Sequence, residues 1–258
     1  MLISRFLYQN SVRFGIVEEN SLNLLQGDVF TSIEPTGASV GQDEVRILPP
    51  VEPSLIIGLG RNYRGHIEEI GEQPPDIPAV FFKPGRSIIG HREPVVIPDW
   101  ATRVDYEGEL GVIIGRKMHC VSEETASDYI FGYTCFNDVT ERHIGMTGLI
   151  NQDISKCCDT FGPCGPWVST DFDPANAQIR TYCNGKVVQE DNTKNMVYSV
   201  NQVLCFLSRF MTLMPGDLVA TGTPGGIGPL KSGDTVDVEI EGIGRLSNPV
   251  IKVSKNTL

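Results

Sequence analysis

Positive charge is scarce in this chain: 21 lysines and arginines face 32 aspartates and glutamates over 258 residues, a formal net charge of −11. A surface of that sign repels polyphosphate backbones and anionic bilayers, which argues against nucleic acid and membrane as partners. Long hydrophobic runs are missing, and no stretch approaches the roughly 20 apolar residues of a membrane-spanning helix. The opening "MLISRFLYQN" lacks the continuous apolar core of a secretory signal. The seven cysteines are odd in number and show no paired spacing, which predicts reduced thiols and a cytoplasmic setting. Histidines number only four, and no Cys-x-x-Cys occurs, so zinc modules find no ligand set. "ATGTPGGIG" (220–228) lacks the Gly-Lys-Ser/Thr ending of a phosphate loop, and "GLGRNYRG" (58–65) misses the dinucleotide spacing.

What is present reads mainly as strand. Residues 1–48 fit a small β-meander with turns at Gln9-Asn10 and Glu19-Asn20. The proline-rich "LPPVEPS" (48–54) predicts a boundary, giving a small N-terminal β domain over 1–48 and a larger domain over 49–258. "LIIGLG" reads as a buried strand leading into a short helix from Tyr63 to Ile70, stopped by Gly71. "AVFFKP" and "REPVVIP" read as strands ended by proline, and "QPPDIP" between them as irregular. A helix is expected from Ser122 through Tyr129, followed by a strand at "GYTCFND". "IRTYCNGKVVQ" is a hairpin turned by Asn184-Gly185, and Ser199 with Gln202 forms a capping box for the next helix. "DTVDVEIEGIGRLSNPV" alternates over two strands.

The stretch "RVDYEGELGVIIG" (103–115) carries the chemistry question. Asp105, Glu107 and Glu109 occupy every second position and run into an apolar strand, so a continuous strand would put all three on one face. Asp138 in "CFNDVTERH" stands at the end of a second apolar strand. Either these acids form a solvated strand end, or they are buried and compensated. A buried, uncompensated carboxylate costs several kcal/mol, and oxygen-only ligands suit Mg²⁺, Mn²⁺ or Ca²⁺. His66 and Glu69 share a helix face three residues apart, as a surface pair or as an acid–base dyad. Lys156 alone reads as an ordinary solvated lysine, and Cys157, Cys158 and Cys164 as packing residues.

Together, "IIGLGRNYRGHIEEIG", "FFKPGRSIIG", "VDYEGELGVIIG", "FNDVTERH", "SKCCDTFGPCGPW", "NGKVVQEDNTKNMVYSVNQVL" and "MPGDLVATGTPGGIG" resemble, in order, the motifs of the fumarylacetoacetate hydrolase family. The resemblance runs from about residue 50 to the C-terminus, and the first segment resembles the small β domain that precedes the catalytic domain in many members. It implies a mainly β (α+β) fold, a mixed β-sandwich roll, and a homodimer. Carried over motif by motif, the metal ligands fall on Glu107, Glu109 and Asp138, with Mg²⁺ or Mn²⁺ as cofactor and Ca²⁺ as the alternative. Asp105 becomes a salt-bridged neighbour of that set. The water-activating dyad falls on His66 and Glu69 and the active-site lysine on Lys156, while Arg142 and Thr223 match residues that contact a substrate carboxylate.

The activity implied is that of a metal-dependent enzyme working on a small 2-oxo or β-diketo acid through a metal-stabilised enolate, with C–C bond hydrolysis as the first expectation. Keto–enol isomerisation, decarboxylation and non-catalytic binding of metal and dicarboxylate are the alternatives. Gly145 stands where hydrolytic relatives often carry glutamine, which weakens hydrolysis more than metal binding. "DTFGPCGPW" looks more like the isomerase and oxaloacetate-processing branch.

Overall fold

The run "LGVII" is continuously apolar because its strand is covered on both faces. Leu110, Val112 and Ile114 belong to one core cluster, while Ile113 belongs to another with Val51, Ile56, Phe136 and Leu218. A computed structural model of the protein describes residues 1–147 and 153–253. The N-terminal meander is β1 (Leu2–Tyr8), β2 (Ser11–Val17), β3 (Ser21–Gln26) and β4 (Glu34–Gly41). Then come β5 (Arg46–Ile47), β6 (Leu55–Gly60), helix α1 (Arg64–Glu69), β7 (Ala79–Pro84), β8 (Ile88–Ile89) and β9 (Val95–Ile97). The middle holds β10 (Val104–Tyr106), β11 (Gly108–Ile114), β12 (Ile130–Asn137), β13 (Thr140–Glu141) and α2 (Arg142–Met146). The last part holds β14 (Gly162–Ser169), β15 (Gln178–Cys183), β16 (Lys186–Asn192) and α3 (Val200–Phe210). It ends with β17 (Leu218–Ala220), β18 (Gly228–Pro229), β19 (Thr235–Ile240) and β20 (Gly244–Lys252).

The fold is mainly β, as expected, and mixed: most pairs are antiparallel, but β6 runs parallel to β17, β8 to β14 and β9 to β20. The largest sheet runs β4-β3-β2-β1-β14-β12-β11-β17-β6-β7, so the N-terminal meander joins it through β1 and β14. A second sheet, β16-β15-β19-β20-β9, faces it. Between them Ile57, Leu59 and Leu110 share a core with Ile179, Val238 and Leu246. Helix α3 adds Val200, Val203, Leu204 and Leu207, one apolar stripe at helical spacing. Its Ser199 Oγ accepts from Gln202 N at 3.3 Å and Ser199 N donates to Gln202 Oε1 at 3.0 Å, the reciprocal cap expected.

Two local expectations are corrected. Only Ala126–Tyr129 coils, as a 3₁₀ turn, where a helix from Ser122 was expected. The hydroxyl of Ser122 lies 3.3 Å from that of Thr125, and Thr125 N bonds Ser122 O, so polar side chains favour turns over helix here. The second correction bears on the site: Asp105, Glu107 and Glu109 do not ride one strand. β10 pairs with β13 and β18 in a separate small sheet, β11 pairs with β12 and β17, and Glu107 sits in the gap. Glu107 N donates to Asn137 Oδ1 at 2.9 Å and Asp138 N to Glu107 O at 2.8 Å. That exchange ties the start of β11 to the end of β12 and brings the acids of both together.

Tight packing of β6 on β7 yields a test. A Cβ on Gly58 would lie 2.1 Å from the Phe81 ring, whereas one on Gly60 would meet only Ala79 O at 3.9 Å. Gly58→Ala should lower stability by about 1–3 kcal/mol through overpacking, and Gly60→Ala should leave the urea midpoint nearly unchanged. Equal midpoints for the two variants would contradict this register.

Candidate active site

Where β11, β12 and the turn after β17 meet, Glu107, Glu109 and Asp138 each present a carboxylate oxygen, all within 4.8 Å of one another. All three side chains are buried. Glu109 accepts from Gly222 N at 2.8 Å. Gly222 is required there: its φ of +97° is left-handed, and a Cβ would come 2.8 Å from Asn62 Cβ.

Two lysines and an arginine compensate the cluster. Lys83, fully buried, donates to Asp138 Oδ1 at 2.7 Å and to Val139 O at 3.3 Å. Lys156 donates to Glu107 Oε2 at 2.9 Å, to Thr140 Oγ1 at 2.7 Å and to Asp138 Oδ2, and lies 4.6 Å from the Phe81 ring centroid. Arg142 donates Nε to Asp105 Oδ2 at 2.9 Å and Nη2 to Glu107 Oε1. Asp105 is also gripped by Arg103, at 2.9 Å through Nε and 3.1 Å through Nη2, so it is salt-bridged rather than part of the carboxylate triad.

Among the described residues no cation reaches ion-pair distance of Glu109. Burial, with Asp138 and Glu107 adding to it, pushes the Glu109 carboxyl well above its usual range. For Glu107 burial opposes ionisation, yet Lys156 and Arg142 hold it below the usual range. Burial pulls the Lys83 ammonium down against the pull of Asp138. At Lys156 burial is outweighed by Asp138 and Glu107, and the ammonium stays above its ordinary value. An oxygen-only donor set with one uncompensated carboxylate fits a hard divalent cation.

A cavity of about 440 Å³ opens onto the cluster, with His66, Glu107, Glu109, Arg142, Lys156 and Thr223 on its wall. His66 Nδ1 stands 3.4 Å from Glu69 Oε2, and the same oxygen accepts from Gly226 N at 3.0 Å. Thr223 is committed: its hydroxyl donates to Gly108 O at 3.0 Å and accepts from Gln189 Nε2 at 2.9 Å. Gly145 also lines the cavity, 3.3 Å in Cβ terms from Ser155 Oγ. Sequence reasoning had no role for Lys83. A lysine inside the apolar strand "AVFFKP" was the available signal, because a buried lysine needs an acid partner.

The chain is similar to known proteins over nearly its whole length. The family model "Fumarylacetoacetate (FAA) hydrolase C-terminal" matches residues 55–251, and "Rv2993c-like, N-terminal" matches 1–50. The crystal structure of a 2-hydroxyhepta-2,4-diene-1,7-dioate isomerase from Mycobacterium marinum superposes with a TM-score of 0.92 at 37% identity, covering 99% of this chain and 100% of that one. A mitochondrial oxaloacetate tautomerase of Xenopus laevis is 38% identical over 82% of this chain and 70% of its own. A maleylpyruvate hydrolase from Sphingobium, solved with manganese(II) and pyruvate, has a TM-score of 0.82 at 28% identity over 98% of this chain and 100% of its own.

The raised Glu109 carboxyl has a consequence for metal-free protein. Above about pH 4.3 the unfolded chain releases this proton while the folded chain keeps it, so stability falls as pH rises, by up to about 1.4 kcal/mol per pH unit. Glu109→Gln removes the proton difference. In chelator, the stability of the variant relative to the parent should therefore grow with pH, measured by urea unfolding between about pH 5 and 8. A pH-independent difference would contradict the shift.

Proposed function

This chain belongs to the fumarylacetoacetate hydrolase family, and we propose that it is a divalent-metal-dependent enzyme that enolises a small 2-oxo acid. The observation carrying the reading is the convergence of Glu107, Glu109 and Asp138 on one point at the wall of a cavity, with no cation paired to Glu109 among the described residues. Glu107, Glu109 and Asp138 would hold Mg²⁺ or Mn²⁺. When bound, such a cation supplies Lewis-acid polarisation of the 2-oxo acid's oxygens.

The chain's own residues do the rest. Lys156 places a positive charge where the enolate oxygen develops. Glu69, bonded to Nδ1 of His66, leaves Nε2 as the nitrogen that moves a proton at the carbon beside the keto group. Arg142, with Nε and Nη2 engaged by Asp105 and Glu107, has Nη1 for the carboxylate of the 2-oxo acid. Thr223 shapes the wall, and would donate to a carboxylate only by releasing Gly108 O.

Within the family two outcomes share this enolate. Isomerisation or tautomerisation is favoured by Gly145, which lines the cavity where hydrolytic relatives often carry a glutamine beside the reacting water. C–C hydrolysis is the second reading, because a histidine–glutamate pair can also deprotonate water. A homodimer and a cytoplasmic location complete the proposal. They are supported by exposed Phe210 and Met214 near the end of α3, and by seven free thiols.

Proton NMR with Mg²⁺ tests it over oxaloacetate and acylpyruvates, reading tautomerisation, exchange at the carbon beside the keto group, and cleavage together. His66→Ala should slow exchange about 100-fold or more while Mn²⁺ affinity by calorimetry survives. Glu109→Ala should lose both. An undiminished rate in His66→Ala would remove the histidine from the chemistry, and undiminished Mn²⁺ affinity in Glu109→Ala would remove the metal assignment.

A further inference from the structure

Among the described residues three cations line the cavity, and they are not equally committed. Lys156 and Arg142 sit on the buried acids. Arg61 touches none of them. Its only ion pair among the described residues is Nη1 to Glu72 Oε2 at 2.5 Å, with the two side chains 40% and 49% exposed. Pairs of that kind contribute little, because water screens both partners. A ligand carboxylate can replace Glu72 at small cost.

The backbone holds Arg61 there deliberately. Its φ of +57° is left-handed, unusual for a residue with a side chain. Neighbouring Asn62 enforces the turn: Nδ2 donates to Thr221 O at 2.8 Å and Tyr198 O at 3.2 Å, while Oδ1 accepts from Tyr198 N at 2.9 Å. Register gives the distance scale. Gly58 pairs with Phe81, whose ring lies under Lys156, and Gly60 pairs with Ala79. Ala79 lies two residues along β7 from Phe81, about 7 Å, and Arg61 follows Gly60 directly. Leu59, Ile70, Val80 and Phe81 give the same cavity an apolar wall.

We infer that Arg61 is a specificity-determining residue that binds the second carboxylate of a 2-oxo diacid longer than oxaloacetate, with Glu72 as its competing counter-ion. The inference rests on the 2-oxo acid reading above and adds the far end of the ligand. The apolar wall takes the spacer, and Arg61 takes the terminal carboxylate through its planar fork.

Calorimetry on the Mn²⁺-loaded full chain tests this with three probes: oxalate, 2-oxoheptanoate and 2-oxoheptanedioate. The parent should bind the diacid more tightly than the monoacid. Arg61→Gln should weaken diacid binding about ten- to hundredfold, the worth of a charged hydrogen bond, and leave oxalate and the monoacid within about threefold. Glu72→Gln frees the arginine and should tighten the diacid instead. A structural latch between the two residues would make both substitutions act in the same direction, and that result overturns the assignment, as does an equal loss for monoacid and diacid in Arg61→Gln. Failure of all three probes to bind the parent would overturn the 2-oxo acid reading and this inference with it. Normal oxalate and monoacid binding with no contribution from Arg61 to the diacid would overturn this inference alone.

Discussion

Four carboxylates out of water in one small region are the constraint around which this protein is arranged. Asp105, Glu107, Glu109 and Asp138 are all buried, and an isolated buried charge is expensive enough that a group usually neutralises or finds a partner. The structure uses both routes. Asp105 takes two arginines, Glu107 an arginine and a lysine, and Asp138 two lysines. Among the described residues Glu109 takes none, and burial beside Asp138 and Glu107 pushes its carboxyl well above the usual range. That imbalance is one a divalent cation could complete.

The fold serves this arrangement at specific points. The chain leaves the small sheet at Tyr106 and enters the large one at Gly108, which turns Asp105 toward the arginines and separates it from Glu107 and Glu109. The glycine-rich turn after β17 then does three jobs at once. Gly222 holds Glu109, Thr223 closes on Gly108, and Gly226 holds Glu69 beside His66. Side chains far apart in sequence are thereby fixed by backbone groups, which move less than side chains do.

Much of this was legible in the sequence, and the reasons differ by element. Strands bounded by proline, the Asn184-Gly185 turn and the Ser199 cap are local signals, and local interactions decide them. The grouping of Glu107 and Glu109 with Asp138 came from motif resemblance, since nothing local joins residue 138 to residue 107. The break at Glu107 was hidden because alternation continues across it, and only pairing partners reveal that two sheets share the strand. The turn at Ser122 was hidden because a serine followed by two glutamates reads as a helix start, and the competing Ser122 and Thr125 hydroxyls show only in the folded chain. Lys83 was visible as a charge in an apolar strand but lacked a partner until the strands were placed. Arg61 looked like part of a glycine-rich loop. Its left-handed backbone and its place on the cavity wall are tertiary facts.

The central claim is that Glu107, Glu109 and Asp138 together hold one divalent cation, which takes the place of the proton that burial favours on Glu109. Titrating Mn²⁺ calorimetrically at neutral pH, in buffers of different ionisation enthalpy, measures the protons that leave on binding. Release of about one proton per Mn²⁺ is the expected result, because ligands must deprotonate to coordinate. Mn²⁺ binding with the same heat in every buffer, or no binding, would contradict the account.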